Sequence, residues 1–125
     1  MLCDHLGQPL FPLAPLKSRV HINAIGAFTA DMCEIAPEIF ERADLVVIDG
    51  REAALAEAGD LIQAVSAGRI DPAELVEIGE LLEDPPPPVD GISVSKSVGI
   101  AAQDWAVAEL AVKRGLDARL PTLPL

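Results

Sequence analysis

Aromatic residues are scarce in this chain: one Trp, three Phe and no Tyr among 125 residues. Half of the residues are hydrophobic all the same, so any core must be aliphatic, built from Ala, Leu, Ile and Val. That proportion excludes a chain disordered by composition. It suits helices packed on a parallel sheet, whose strands read as Val/Ile runs. Basic residues are scarce too, nine Lys and Arg against twenty Asp and Glu, for a net charge of −11. Binding to nucleic-acid phosphates or to an anionic membrane surface needs clustered cations, so both partner classes are set aside. Cysteine is limited to Cys3 and Cys33, without CxxC or Cys/His spacing. This excludes a disulfide scaffold and leads us to expect reduced thiols and a cytoplasmic location. No apolar run approaches the ~20 residues of a membrane-spanning helix. No basic segment followed by an apolar one marks a signal peptide. Nine glycines are present, but none approaches the GxGxxG spacing of a loop that cradles a dinucleotide pyrophosphate.

What is present reads as alternating strands and helices. Met1 to Lys17 carries Pro9, Pro12 and Pro15, which forbid a helix and leave an extended or looping segment. Arg19 to Ile25 is expected to be a strand ended by Gly26. Ala36 to Ala43 is expected to be helical, with Pro37 and Glu38 suited to a first turn. Asp44 to Asp49 reads DLVVID, a buried parallel strand. Arg51 to Ala58 and a second helix capped by Asp60 and running to Ser66 follow, stopped by Gly59 and Gly68. Asp71, Pro72 and Glu74 have capping-box spacing and predict a helix to about Leu82. Pro85 to Pro88 is a stiff spacer. Ile92 to Ser97 alternates as a strand with one buried face. Gly99 opens the longest helix, to about Arg114 with Gly115 as its stop, and Ala101, Trp105, Ala108 and Val112 share one face. Asp117 to Leu125 is expected to be loose. The order is that of an α/β fold. A sheet of about three strands would expose edges that must be covered, by a larger body or by another chain.

Several phrases, in this order and spacing, resemble the C-terminal half of the ornithine cyclodeaminase/mu-crystallin family. They are His21-Ile22-Asn23-Ala24-Ile25-Gly26, Ala43 to Asp49, Arg51 to Leu55, Ala58-Gly59-Asp60, and Lys96-Ser97-Val98-Gly99 leading to Gln103-Asp104. The resemblance covers roughly Gln8 to Arg114. It implies the C-terminal part of a Rossmann-like parallel sheet, followed by the return strand and long helix of a dimerisation domain. It divides the chain into 1–90, a partial nucleotide-binding domain, and 91–125, the return strand, helix and tail. It implies NAD or NADP as cofactor, with Gly26, Ser97 and Val98 as the ring contacts, and a homodimer or a missing N-terminal half as partner.

Departures from the family pattern matter. A catalytic Asp of the cyclodeaminase branch stands where this chain has Phe28, which cannot move protons, so the resemblance points towards a reductase-like member. An aromatic before the Lys is replaced by Ser95. No catalytic residue is assigned. Ser97 is equally suited to capping the helix after Gly99, and Asp104 to complementing its dipole. His21 reads as a structural histidine, His5 has no acid or Cys at useful spacing, and Asp31 and Glu34 read as carboxylates of a solvated loop. Glu74, Glu77, Glu80, Glu83 and Asp84 read as one solvated helix face and, without a His, as no metal site.

The sequence is therefore compatible with two functions. One is a fragment of an NAD(P)-dependent oxidoreductase or cyclodeaminase acting on cyclic imino acids or amino acids, small-molecule substrates, and inactive alone for want of the Gly-rich loop. The other is a non-enzymatic remnant that serves as a small dimeric or partner-binding subunit.

Overall fold

Four strands, all parallel, build one sheet in the order β1–β4–β2–β3. In this computed structural model, which describes residues 7–10, 12–14 and 16–118, they are β1 (Val20–Ala24), β2 (Leu45–Ile48), β3 (Val76–Glu77) and β4 (Ile92–Lys96). β4 enters between β1 and β2, so Val94 lies between Ile22 and Val46. The segment after residue 91 thus contributes an inner strand of the same sheet. The β2 run LVVI is β-branched and apolar throughout, and Val46, Val47 and Ile48 are all buried. In β1 and β4 the alternation predicted from the sequence holds. Ile22, Ala24, Ile92 and Val94 face the core, while His21, Asn23, Ser93 and Ser95 line the other face.

The core face is covered by α1 (Pro37–Arg42), α2 (Arg51–Glu57) and α3 (Gly59–Ser66). Phe40 is its largest buried side chain and packs with Ile35, Ile39, Ile48 and Leu61. Ala54, Ala58 and Ala64 are completely buried, which lets the helices sit close to the strands. At Gly59 the approach is closer still. A Cβ there would collide with the carbonyl oxygens of Met32 and Thr29, so the loop after β1 lies backbone to backbone against the start of α3.

The structure differs from the sequence-based expectation at four points. Asp60 does not cap α3. The N-cap is Ala58, without a side-chain cap, and Asp60 turns inward, as described below. The helix expected from Asp71 to Leu82 is three elements. The capping box forms, with Asp71 Oδ1 accepting from Ala73 N–H and Glu74 from Asp71 N–H. It caps only a 3-10 turn, Pro72–Glu74, before the backbone extends at Leu75. Burying Leu75 and pairing Val76 with Val47 outweighs helical continuation. A second box, Glu77 with Glu80, then starts α4 (Ile78–Glu83). The acidic run is consequently not one solvated helix face: Glu77 accepts the Arg51 backbone N–H at 2.6 Å.

The long helix α5 (Ala101–Asp117) does not stop at Gly115 but continues through it. Gly99 (φ +90°) marks the break before it, with Ile100 as N-cap. No residue of α5 is buried: Trp105, Val112 and Leu116 of its apolar face stand open. Residues 119–125 of the tail, together with Cys3 and His5, lie outside the described residues. β1 and β3 form the edges of the sheet among the described residues.

Candidate functional site

β1, β2 and β4 run parallel and end side by side, and beyond that carboxyl edge their loops are tied by charge. The Ser97 N–H donates to Ala24 O at 3.0 Å, carrying the β1–β4 pairing one residue further. The next residues are the Gly26 turn on one side and the Asp49-Gly50 turn on the other. Parallel α/β sheets bind ligands outside this edge, so it is the first place to look for a site.

Asp49 organises one half of it. The carboxylate follows the apolar run of β2 and is buried. Its Oδ2 accepts from Ser97 Oγ at 2.8 Å, Val98 N at 2.9 Å and Gly99 N at 2.7 Å. Its Oδ1 accepts from Gly50 N at 2.9 Å. Burial by itself would push this carboxyl up, but the hydrogen bonds from Ser97, Gly99, Gly50 and Val98 outweigh it and hold the group below its ordinary range.

A second cluster lies under the Gly26 turn. Lys96 occupies the buried phase of the β4 alternation and has no exposed surface. Its Nζ stands 3.4 Å from Asp60 Oδ1 and 4.0 Å from Glu34 Oε2, as an ion pair without an aligned hydrogen bond. Asp60 is equally buried and accepts the Leu61 N–H at 2.9 Å. Burial raises its carboxyl, and the charge of Lys96 opposes that rise. Glu34 Oε2 also accepts the Gly26 N–H at 2.7 Å. Glu34 is thus not the solvated loop carboxylate expected from the sequence. Cys33 lies beside the cluster, buried, its thiol donating to Ile35 O. Burial and the neighbouring Asp60 push that thiol up, which keeps it protonated.

The three residues singled out as ring contacts all lie along this edge. The space beside Gly26 is taken by Glu34, whose carboxylate carbon would lie 3.1 Å from a Cβ there. The Ser97 hydroxyl donates to Asp49, and α5 has no side-chain cap. The Val98 N–H is given to Asp49 as well. His21 hydrogen-bonds Ser93 and Asn23 on the open sheet face, at 2.8 Å and 3.2 Å. Asp31 is exposed and accepts from Thr29 Oγ1. Phe28 is exposed, and Asp104 lies exposed in the first turn of α5. Among the described residues no group of three metal-binding side chains comes together. None of their helices is long and apolar enough to cross a membrane.

Sequence reasoning missed Asp49, Asp60, Lys96 and the inward role of Glu34. The signals were present. Lys96 falls in phase with Ile92 and Val94, and a Lys at a buried strand position demands a carboxylate partner.

A sequence model of the ornithine cyclodeaminase/mu-crystallin family matches residues 7–118. A Delta(1)-pyrroline-2-carboxylate reductase of Bacillus cereus is 36% identical over 113 residues, 84% of this chain and 35% of its own length. The solved Delta(1)-pyrroline-2-carboxylate reductase of Thermococcus litoralis, in complex with NADH and L-proline, aligns with a TM-score of 0.71 at 30% identity. That alignment covers 83% of this chain and 33% of the other. An archaeal alanine dehydrogenase dimer with bound NAD aligns with a TM-score of 0.77 at 30% identity, covering 94% of this chain and 37% of that one. The chain spans about a third of the length of the curated relatives it matches.

Proposed function

The chain belongs to the ornithine cyclodeaminase/mu-crystallin family, and from that premise we propose that it forms the C-terminal portion of an NAD(P)-dependent enzyme acting on a cyclic imino acid or amino acid. The nicotinamide would supply hydride exchange with a carbon–nitrogen centre. The observation that carries the reading is the convergence of Gly26, Ser97 and Val98 on the carboxyl edge of one parallel sheet.

The residues of this edge suit the ring end of a dinucleotide and not its phosphates. The ring end needs a fixed backbone ledge. The Asp49 hydrogen bonds hold Ser97, Val98 and Gly99 in one place, and the Glu34 contact holds Gly26. Phosphates need N–H donors at a helix start or cations. Here Lys96 is buried between Glu34 and Asp60, Asp49 takes the donors of the next turn, and the Arg51 guanidinium and backbone N–H are given to Pro72, Leu75 and Glu77, which leaves these groups already engaged within the chain. We therefore assign the pyrophosphate cradle and the substrate carboxylate site to residues outside this chain, and the chain alone to an inactive state. Within it, residues 1–90 supply the nucleotide-binding side. Residues 91–125 return through the sheet as β4 and carry α5 away from it.

The test is a titration of the isotope-labelled chain with nicotinamide mononucleotide, following backbone amide shifts, beside a fluorescence titration with NADH. Shifts confined to Gly26, Ser97, Val98 and their neighbours at millimolar ligand are expected, with no saturation by NADH at micromolar concentrations. Absent or scattered shifts would reject the ring site. Tight saturable NADH binding would place a phosphate cradle within the chain.

A second reading, association as a small dimeric subunit, is favoured by α5. A helix of 17 residues with none buried, presenting Trp105, Ala108, Val112 and Leu116 on one side, has an apolar face with no partner among the described residues. Glu109 and Lys113 border that face one turn apart, so two antiparallel copies would pair them reciprocally.

A further inference from the structure

The ion-paired cluster under the Gly26 turn is more than the fold requires. β1 is already held along its whole length by β4, and its last carbonyl, Ala24 O, is bonded by Ser97 N–H. Past that bond the chain turns at Gly26, whose N–H is taken by a side chain eight residues on, Glu34 Oε2 at 2.7 Å. The same oxygen lies 4.0 Å from Lys96 Nζ, whose only other ionic partner among the described residues is Asp60. Lys96 and Asp60 are fully buried, and Glu34 reaches inward with its side chain 16% exposed. A Cβ at Gly26 would press on the Glu34 carboxylate, so the carboxylate lies directly against the turn. Drawing an amine and two carboxyl groups into an aliphatic core costs several kcal/mol in desolvation when they are charged, and an apolar replacement is often neutral or stabilising. Stability therefore does not explain the cluster, whereas fixing one turn does.

We propose that Glu34 is a positioning residue: paired with Lys96, its carboxylate straps the Gly26 turn at the carboxyl edge of the sheet and so sets the backbone surface that the nicotinamide meets. The second half of this statement rests on the cofactor reading above; the strap itself does not. The strap is anchored at both ends, because Lys96 is the last residue of β4 and Asp60 lies in the first turn of α3. The Met32 and Thr29 carbonyls seat the intervening loop against Gly59. The Gly26 turn lies between the end of β1 and that contact, and Glu34 ties it through the Gly26 N–H.

The test is amide hydrogen exchange by NMR on the full chain, in the native sequence and in Glu34→Ala and Glu34→Gln. Glu34→Ala should speed exchange at Gly26 by about tenfold or more, the scale of one lost charge-assisted hydrogen bond, while Val46 and Val94 in the sheet stay unchanged. Glu34→Gln, which keeps an acceptor oxygen, should recover most of the protection. If Glu34→Ala does not fold, Glu34→Asp, one methylene short, serves in its place with the same expected local loss at Gly26. Unchanged exchange at Gly26, or an equal acceleration of every amide, overturns the strap. Nicotinamide mononucleotide titrations separate the two readings. No edge shifts in the native chain would reject the cofactor site while exchange still decides the strap. Edge shifts of equal affinity in the native and Glu34→Ala chains would overturn the positioning role while leaving the cofactor site standing.

Discussion

Replacing Asp49 by Ala should be strongly damaging, and its size follows from the hydrogen bonds. Three donors, Ser97 Oγ, Val98 N and Gly99 N, meet at one oxygen, and Gly50 N meets the other. A net hydrogen bond to a charged group contributes about 1.5–3 kcal/mol. The four are not additive, since they share one carboxylate and Gly99 is open to water. A loss of about 3–5 kcal/mol is expected, a large part of a domain stability of about 5–15 kcal/mol. Asp49→Asn should cost less, about 1–2 kcal/mol, because its carbonyl oxygen can still take the three donors while its amide meets Gly50 N–H badly. The pH dependence fixes the mechanism. The Asp49 carboxyl is held below its unfolded value, so its contribution is present above pH about 4 and is lost as pH falls through the lower folded value. Asp60, raised in the fold, has the opposite sign: its contribution is full below pH about 4 and is lost as pH rises through the folded value. That slope is common to both proteins and cancels in their difference. Urea unfolding should be followed by far-ultraviolet circular dichroism, because Trp105 is exposed and reports little. The gap between wild type and Asp49→Ala should be flat from neutral pH to about pH 5 and then close. A gap under about 1 kcal/mol at pH 7, or one that widens in acid, would refute the reasoning.

Lys96→Met leaves Asp60 and Glu34 as buried carboxylates without their cation; it should lower stability by about 3–5 kcal/mol in urea unfolding, and Asp60→Asn in the same chain should restore part of the loss. Gly59→Ala forces the loop after β1 off the start of α3, since a Cβ there meets the Met32 and Thr29 carbonyls. A loss of about 1–3 kcal/mol is expected from chemical denaturation. Val112→Glu places a charge in the middle of the open α5 face. If that face joins two copies, light scattering should show a dimer for the native chain and a monomer for the variant, with circular dichroism unchanged. A monomeric native chain would remove the dimer reading.

The periodic part of this fold was legible in the sequence because burial on a sheet repeats every two residues and nothing longer is needed to see it. DLVVID and the alternation from Ile92 gave β2 and β4 to within a residue or two, and Pro37 and Gly68 marked real helix ends. The misreadings have a common cause. Asp71, Pro72 and Glu74 satisfy every local rule for a helix start, yet whether the helix continues depends on Leu75 finding the core and Val76 finding Val47, twenty-nine residues back in the chain. Asp60 likewise has the right residue type for a cap, and is drawn instead to Lys96. Local capping chemistry states what a residue can do; the long-range partner decides whether it does so.

For the same reason the resemblance names residues of this edge but not the groups that support them. Gly26, Ser97 and Val98 stand in recognisable phrases. The groups that hold them are joined across 48 to 50 residues in the case of Asp49 with Ser97, Val98 and Gly99. An aliphatic core of Ile, Leu, Val and Ala is non-directional: it fixes that the strands pack, and leaves the exact set of the loops beyond them free. Directional order at the carboxyl edge must therefore come from polar contacts, and polar contacts in such a core are stable only when charges are paired or hydrogen-bonded. Asp49 meets that condition with four donors, and Lys96 meets it with two carboxylates. The buried charges, costly elsewhere in so aliphatic a chain, are concentrated where they fix the backbone turns at the carboxyl edge of the sheet.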